Sequence, residues 1–249
     1  MTAGSGMASE RQHRLSIVHY GRLLHENRFV AATDGNLSVR LDDHRLLVTP
    51  TCMSKGMMRP ADMVIVDMEG NRLAGKRRVS TEIGMHLVIY RLRPDVQGIV
   101  HAHPPTATGF AASGFDLTRP LVCEVVVGLG SIPLAHYGTP GTPELTDALE
   151  PLIPNHDAIL MANHGVVTFG PSIENAYMKM ETVEHFARIA LVAHLLGHEQ
   201  PLSEEEIEKL HAVRHRYNGG GKPAPAVPRI PVAGDDLASD TEQTAGRRR

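Results

Sequence analysis

The chain has 249 residues, 42% hydrophobic and 21% charged, with a formal net charge of −3 at pH 7. That length is enough to bury a sizeable core in one large domain or two small ones. The charge leaves no basic footprint for nucleic acid, and no apolar run approaches the roughly 20 residues that span a bilayer. Two cysteines, Cys52 and Cys123, are too few for a disulfide framework and fit a reducing cytoplasm. Residues 1–9 lack the apolar segment of a secretory signal and are read as a disordered leader. The 15 histidines are the compositional oddity.

In chain order, "ERQHRLSIVHYGRLLHENRF" places Leu15, Val18, Leu23 and Leu24 at helical spacing and predicts an amphipathic opening helix. "TDGNLSVRL" reads as a tight loop feeding a strand, "RLLVTPT" as a second strand halted by Pro50, and "MVIVDMEGNRLAG" as a hairpin. "STEIGMHLVIYRLRPD" predicts a helix capped by Ser80 or Thr81, with Glu82 in its first turn. "VQGIVHAH" is a buried strand stopped by Pro104 and Pro105, and "LVCEVVVGLGSIPLAHY" reads as strand segments broken at Gly128 and Gly130. "TPELTDALEPLI" is a short capped helix. "AILMANHGVVTFG" is a pair of strands joined at Asn163-His164-Gly165. A long helix runs from a Ser172 cap to Gly197, and a closing helix starts after Ser203. The pattern predicts one α/β domain over residues 10–217 with a largely antiparallel or mixed sheet. Residues 218–249, rich in Gly, Pro and charge, are read as a disordered tail.

His101 and His103 bracket a single residue at the end of an apolar strand. In extended chain, residues i and i+2 face the same side, so two imidazoles aim at one place. His164 lies at the tip of another apolar strand, beside Gly165, which is expected to allow a backbone conformation other residues resist. Three imidazoles would give a tetrahedral zinc with one open position, the arrangement of a catalytic site. Glu82, taken alone, reads as a capping acid at a helix N-terminus. With His86 it forms an E-x-x-x-H face, and His86 itself reads as packing or as support behind a site. Gly35-Asn36, Thr51-Cys52 and Ser80-Thr81 are small polar loops with donors suited to an anion.

"GNLSVR", "TPT", "STE", "HAHPP", "NHG" and "AYMKMETVE" stand here in the order in which they occur in the class II aldolase/adducin family. The chain resembles that family from about residue 10 to 217. The resemblance implies a three-layer fold whose central, mainly antiparallel sheet is flanked by helices, assembled as a homotetramer with active sites between subunits. It makes His101, His103 and His164 the ligands of one Zn²⁺, or another divalent metal, per subunit, with Glu82 the catalytic acid/base that also approaches the metal. It assigns Gly35, Asn36, Thr51, Cys52, Ser80 and Thr81 to the substrate phosphate, and Tyr217 to a C-terminal catalytic tyrosine. The implied activity is cleavage of a ketose 1-phosphate, L-fuculose-1-phosphate or a 5-deoxypentulose 1-phosphate, to dihydroxyacetone phosphate and an aldehyde. Neither nucleic acid nor membrane is an implied partner. Epimerase, dehydratase and decarboxylase chemistry occur on the same scaffold, as does an adducin-like binding module without catalysis. Cys52 departs from a usual glycine, and "LVCEVVVGLG" lacks a second family tyrosine. Thr81 stands where the decarboxylases often carry lysine. The apolar "PLVCEVVV" would suit a substrate ending in a methyl group.

Overall fold

The computed structural model describes residues 9–217, with side chains to residue 213, so the predicted tail and all but Ser9 of the leader lie outside it. Helix α1 (Glu10–Glu26) is opened by a reciprocal cap in which Ser9 and Gln12 satisfy each other's backbone N–H groups. Its buried residues are Ile17, Gly21 and Leu24. Leu15 is exposed, and Val18 and Leu23 only flank the core, so the apolar stripe is turned from the one predicted.

Strands β1 (Asn36–Arg40), β2 (Leu46–Val48), β3 (Val64–Val66) and β4 (Arg72–Ala74) form an antiparallel meander. Helix α2 (Ile83–Leu92) leads into β5 (Gly98–Ala102), which pairs antiparallel with β1. Helices α3 (Pro105–Ala112) and α4 (Cys123–Gly128) precede β6 (Leu134–Ala135) and α5 (Pro143–Leu149). The hairpin β7 (Ala158–Met161) and β8 (Gly165–Gly170) is followed by α6 (Ile173–Leu195) and α7 (Glu204–Tyr217). Among the described residues eight strands lie in the order β4-β3-β2-β1-β5-β8-β7-β6, and of these only β6 and β7 are parallel neighbours.

The sheet divides two cores, giving the expected three layers. On one face Leu37, Val39, Val100 and Val166 meet Ile17 of α1, Ala107 of α3, and Met180 and Phe186 of α6. On the other, Ile99, Val167 and Phe169 meet Met85 and Ile89 of α2 and Leu145 and Leu149 of α5. Alternation along β5 sends Ile99 to the α2 side and Val100 to the α6 side, so His101 faces α2.

Three local expectations are corrected. Pro105 does not merely end β5; it opens α3 at the first helical position, where a missing N–H costs nothing. Residues 123–128 are helical, not strand, because Val125, Val126 and Val127 are buried by tertiary packing that overrides their β-propensity. These valines are buried, while Cys123 and Glu124 are exposed. Helix α2 begins at Ile83, with Glu82 at the cap position making no side-chain cap hydrogen bond.

Candidate metal centre

Where β5 ends and β1 and β8 begin, three imidazoles meet. His101 lies in β5, His103 is two residues on, and His164 closes the β7–β8 turn. One ligating atom from each of the three lies within 4.8 Å of the others. The backbone N–H of His103 donates to the Phe29 carbonyl, which fixes the chain just beyond β5. His164 is turned inward by Asn163 at φ +56°, so the left-handed residue is Asn163, not Gly165 as expected. Gly165 is required for space: a Cβ there would lie 2.5 Å from His103 Cδ2 and 2.7 Å from the Ala102 carbonyl.

The ring nitrogens are arranged for a cation. His101 Nδ1 is 2.9 Å from the Val166 carbonyl, and His103 Nδ1 faces the Asp34 carboxylate at 3.6 Å. Both contacts favour the Nδ1–H tautomer and turn the Nε2 lone pairs toward each other, 3.1 Å apart. Two facing lone pairs repel unless a cation lies between them. Glu82 Oε1, also buried, sits 3.0 Å from His164 Nε2 without the alignment of a hydrogen bond, and Oε2 is 3.5 Å from His101 Nε2. This donor set fits a divalent metal held by His101, His103 and His164 with Glu82 at its edge.

Burial holds the His101 and His103 imidazoles below their ordinary range, in the neutral form that binds metal. Burial by itself raises the Glu82 carboxyl, but His101, His164 and the Asn36 amide outweigh it and hold the group ionised. Asn36 Nδ2 donates to Glu82 Oε2 at 2.7 Å, and the Glu82 backbone N–H donates to Ser80 Oγ at 3.3 Å. Glu82 is thus steered into the cluster rather than back onto its own helix.

Of the three polar loops, those of Asn36 and Ser80 meet beside Glu82. An antiparallel bridge between Pro50 and Val79, with Thr51 N–H donating to the Arg78 carbonyl, ties the Thr51-Cys52 loop to the segment that leads into Ser80-Thr81. Asn36 Nδ2 also lies 3.5 Å from Ser80 Oγ. Gly35 is left-handed at φ +71°, and a Cβ on it would meet the His101 carbonyl at 2.7 Å, so its place is set by β5. Cys52 is exposed at φ +55°, a conformation that explains the glycine usual there. Tyr217 ends α7, and its side chain lies outside the described residues.

Two supporting residues escaped sequence reasoning. Asp34, which orients His103, reads only as a turn residue in "TDGN". Lys55 is fully buried, donates to the Thr33 and Met53 carbonyls at 2.8 and 2.7 Å, and is pushed down to about 8 by burial. A lysine in a polar loop carries no signal of burial.

An open three-imidazole site beside a carboxylate is the mark of a metal-dependent α/β enzyme rather than of a closed structural site. Residues 16–191 match the family described as Class II Aldolase and Adducin N-terminal domain, and the chain belongs to that family. It is 32% identical over 202 residues to the 5-deoxy-D-ribulose 1-phosphate aldolase of Bacillus thuringiensis, covering 80% of this chain and 94% of that one. It is 34% identical over 177 residues to the 3-oxo-tetronate 4-phosphate decarboxylase of Haemophilus influenzae, covering 70% and 84% respectively. Among solved structures it is similar to an L-fuculose 1-phosphate aldolase, with a TM-score of 0.77 and 31% identity. That likeness spans 86% of this chain and all of the other. Among the described residues no helix is long and apolar enough to cross a membrane.

Proposed function

We propose that the protein is a zinc-dependent class II aldolase that cleaves a ketose 1-phosphate to dihydroxyacetone phosphate and an aldehyde. The observation that carries this reading is the Glu82 carboxylate beside three converging imidazoles, held there by Asn36. His101, His103 and His164 would hold a divalent cation, which when bound would supply Lewis-acid stabilisation of negative charge developing on substrate oxygens. In condensation the ionised Glu82 carboxylate would take the proton from the dihydroxyacetone phosphate carbon that attacks the aldehyde. In cleavage the same group, then protonated, would return it to the carbon left carbanionic when the C3–C4 bond breaks. Asn36, Ser80 and Thr81, with the Gly35 and Thr51-Cys52 loops, hold the substrate phosphate, which fixes the reacting carbons. Tyr217, supplied across a subunit interface of a homotetramer, exchanges a proton with the oxygen of the aldehyde half. Two unpaired cysteines suit a cytoplasmic setting.

The 5-deoxypentulose and L-fuculose phosphates are the preferred substrates, in keeping with the aldolase relatives. Decarboxylation is the second reading, favoured by the Haemophilus relative and opposed by Thr81, where family decarboxylases often carry lysine. The test is condensation of dihydroxyacetone phosphate with acetaldehyde and with lactaldehyde, with and without chelator. Glu82→Gln should keep its metal and lose at least about 100-fold in turnover; wild-type cleavage by that variant overturns the assignment.

A further inference from the structure

The back of Glu82 is built from two matched periodicities. Strand β1 sends Asn36, Ser38 and Arg40 to the α2 side, while Leu37 and Val39 enter the opposite core. Helix α2 and its cap carry Glu82, His86 and Tyr90 at intervals of four, along one stripe. Four helical residues advance about 6 Å and two strand residues about 6.7 Å, so the two ladders meet rung by rung.

Each rung is a hydrogen bond. Asn36 Nδ2 meets Glu82 Oε2 at 2.7 Å, Ser38 Oγ meets His86 Nδ1 at 2.6 Å, and the Tyr90 hydroxyl is 3.0 Å from Ser38 Oγ. Arg40 Nη2 donates to the Tyr90 carbonyl at 2.7 Å, and its guanidinium lies 4.8 Å over the Tyr90 ring. A diagonal contact joins His86 Nε2 to Asn36 Oδ1. Asn36, Ser38, His86 and Tyr90 are all buried.

We infer that His86, Ser38 and Tyr90 are positioning residues that lock the Asn36 amide with its N–H₂ toward Glu82, an inference that rests on Glu82 being the acid/base proposed above. The donors run in one direction. A carboxylate can only accept, so Asn36 gives it an N–H and presents Oδ1 to His86, which must then carry its proton on Nε2. Nδ1 accepts from the Ser38 hydroxyl, whose oxygen accepts from Tyr90. A flipped Asn36 would set its Oδ1 against Glu82 Oε2, two acceptors at hydrogen-bond distance, and would leave His86 Nε2–H facing an N–H₂ group. Burial pushes His86 down to about 4, which keeps the ring neutral as this chain of bonds requires. Four buried polar side chains at a strand–helix contact are costly unless each is satisfied, and here each is.

The experiment compares metal-loaded wild type with His86→Gln, His86→Phe, Ser38→Ala, Tyr90→Phe and Glu82→Gln, each checked for thermal unfolding and metal content. His86→Phe should lower kcat about 10- to 100-fold with KM and metal content nearly unchanged. His86→Gln, which keeps an N–H for Asn36, should recover most of the loss. Should His86→Phe not fold, Ser38→Ala and Tyr90→Phe, which keep the volume, carry the same expectation at smaller size. Independently of turnover, ¹⁵N spectra of the full chain should show His86 as the neutral Nε2–H tautomer at pH 6–8. An Nδ1–H or doubly protonated ring overturns the inference, as does wild-type kcat in the folded Ser38 and His86 variants. If Glu82→Gln is impaired while those variants are normal, this inference alone fails. If Glu82→Gln is fully active, the acid/base reading fails first.

Discussion

Gly165 and His103 are in closest packing: the position a Cβ would take on Gly165 is 2.5 Å from the His103 ring and 2.7 Å from the Ala102 carbonyl. The turn that delivers His164 therefore passes beneath the ring of another candidate ligand. Because one obstacle is backbone, the side chain cannot absorb the clash alone. Gly165→Ala should displace His103 and weaken metal binding about 10- to 100-fold, measured by competitive metal titration. Unchanged affinity in a folded Gly165→Ala protein contradicts this coupling.

Glu184 on α6 closes the N-terminus of α3, just after His103. Its carboxylate accepts from Thr106 N and Ala107 N at 3.0 Å and from Thr106 Oγ1 at 2.8 Å. Pro105 has no N–H to satisfy, so one buried side chain serves the first turn. Glu184→Ala should cost about 3 kcal/mol in urea unfolding, since it strands three donors. Arg188→Ala should cost well under 1 kcal/mol, because that partner of Glu184 is largely exposed.

His86 also sets a pH limit on folding. The unfolded chain takes up its proton as pH falls through about 6.5, whereas burial, against the opposing Glu82 charge, delays uptake in the folded chain to about 4. Between those values the unfolded state binds more protons, so stability is lost as pH falls across that window, by up to about 3 kcal/mol from this group. Denaturant titrations of metal-free protein at pH 7.5 and 4.5 should show a smaller loss in His86→Phe than in wild type. Equal losses would mean that His86 is not the buried neutral ring described.

Cys52 holds a left-handed conformation that glycine adopts freely. Cys52→Gly should be neutral or stabilising by up to about 1 kcal/mol, relief of strain being partly offset by unfolded-state entropy. Cys52→Val, β-branched at the same φ, should cost more than 1 kcal/mol. Thermal melts of the two variants decide it, and the reverse order would refute the strain.

Much of this was legible because it is local. Apolar alternation and turn residues announce β1, β2, the β3–β4 and β7–β8 hairpins and β5, and caps at Ser172 and Ser203 announce α6 and α7. The spacing of His101 and His103 points both rings to one place, and the motif order carries the family. Helix α4 was illegible because three consecutive valines prefer strand locally and are overruled by burial from elsewhere in the chain.

By itself, the order of residues determined which groups are available and how far apart they recur: two imidazoles on a strand end, one at a hairpin tip, an acid with a histidine four residues on. Folding alone decided what those groups face. It turned Glu82 from its own helix to Asn36, set Asp34 behind His103, sank Lys55 between two loops, and placed Ser38 against His86. Periodicity is a property of neighbouring residues, whereas a side chain's partner belongs to a distant segment that only the packed sheet brings within reach.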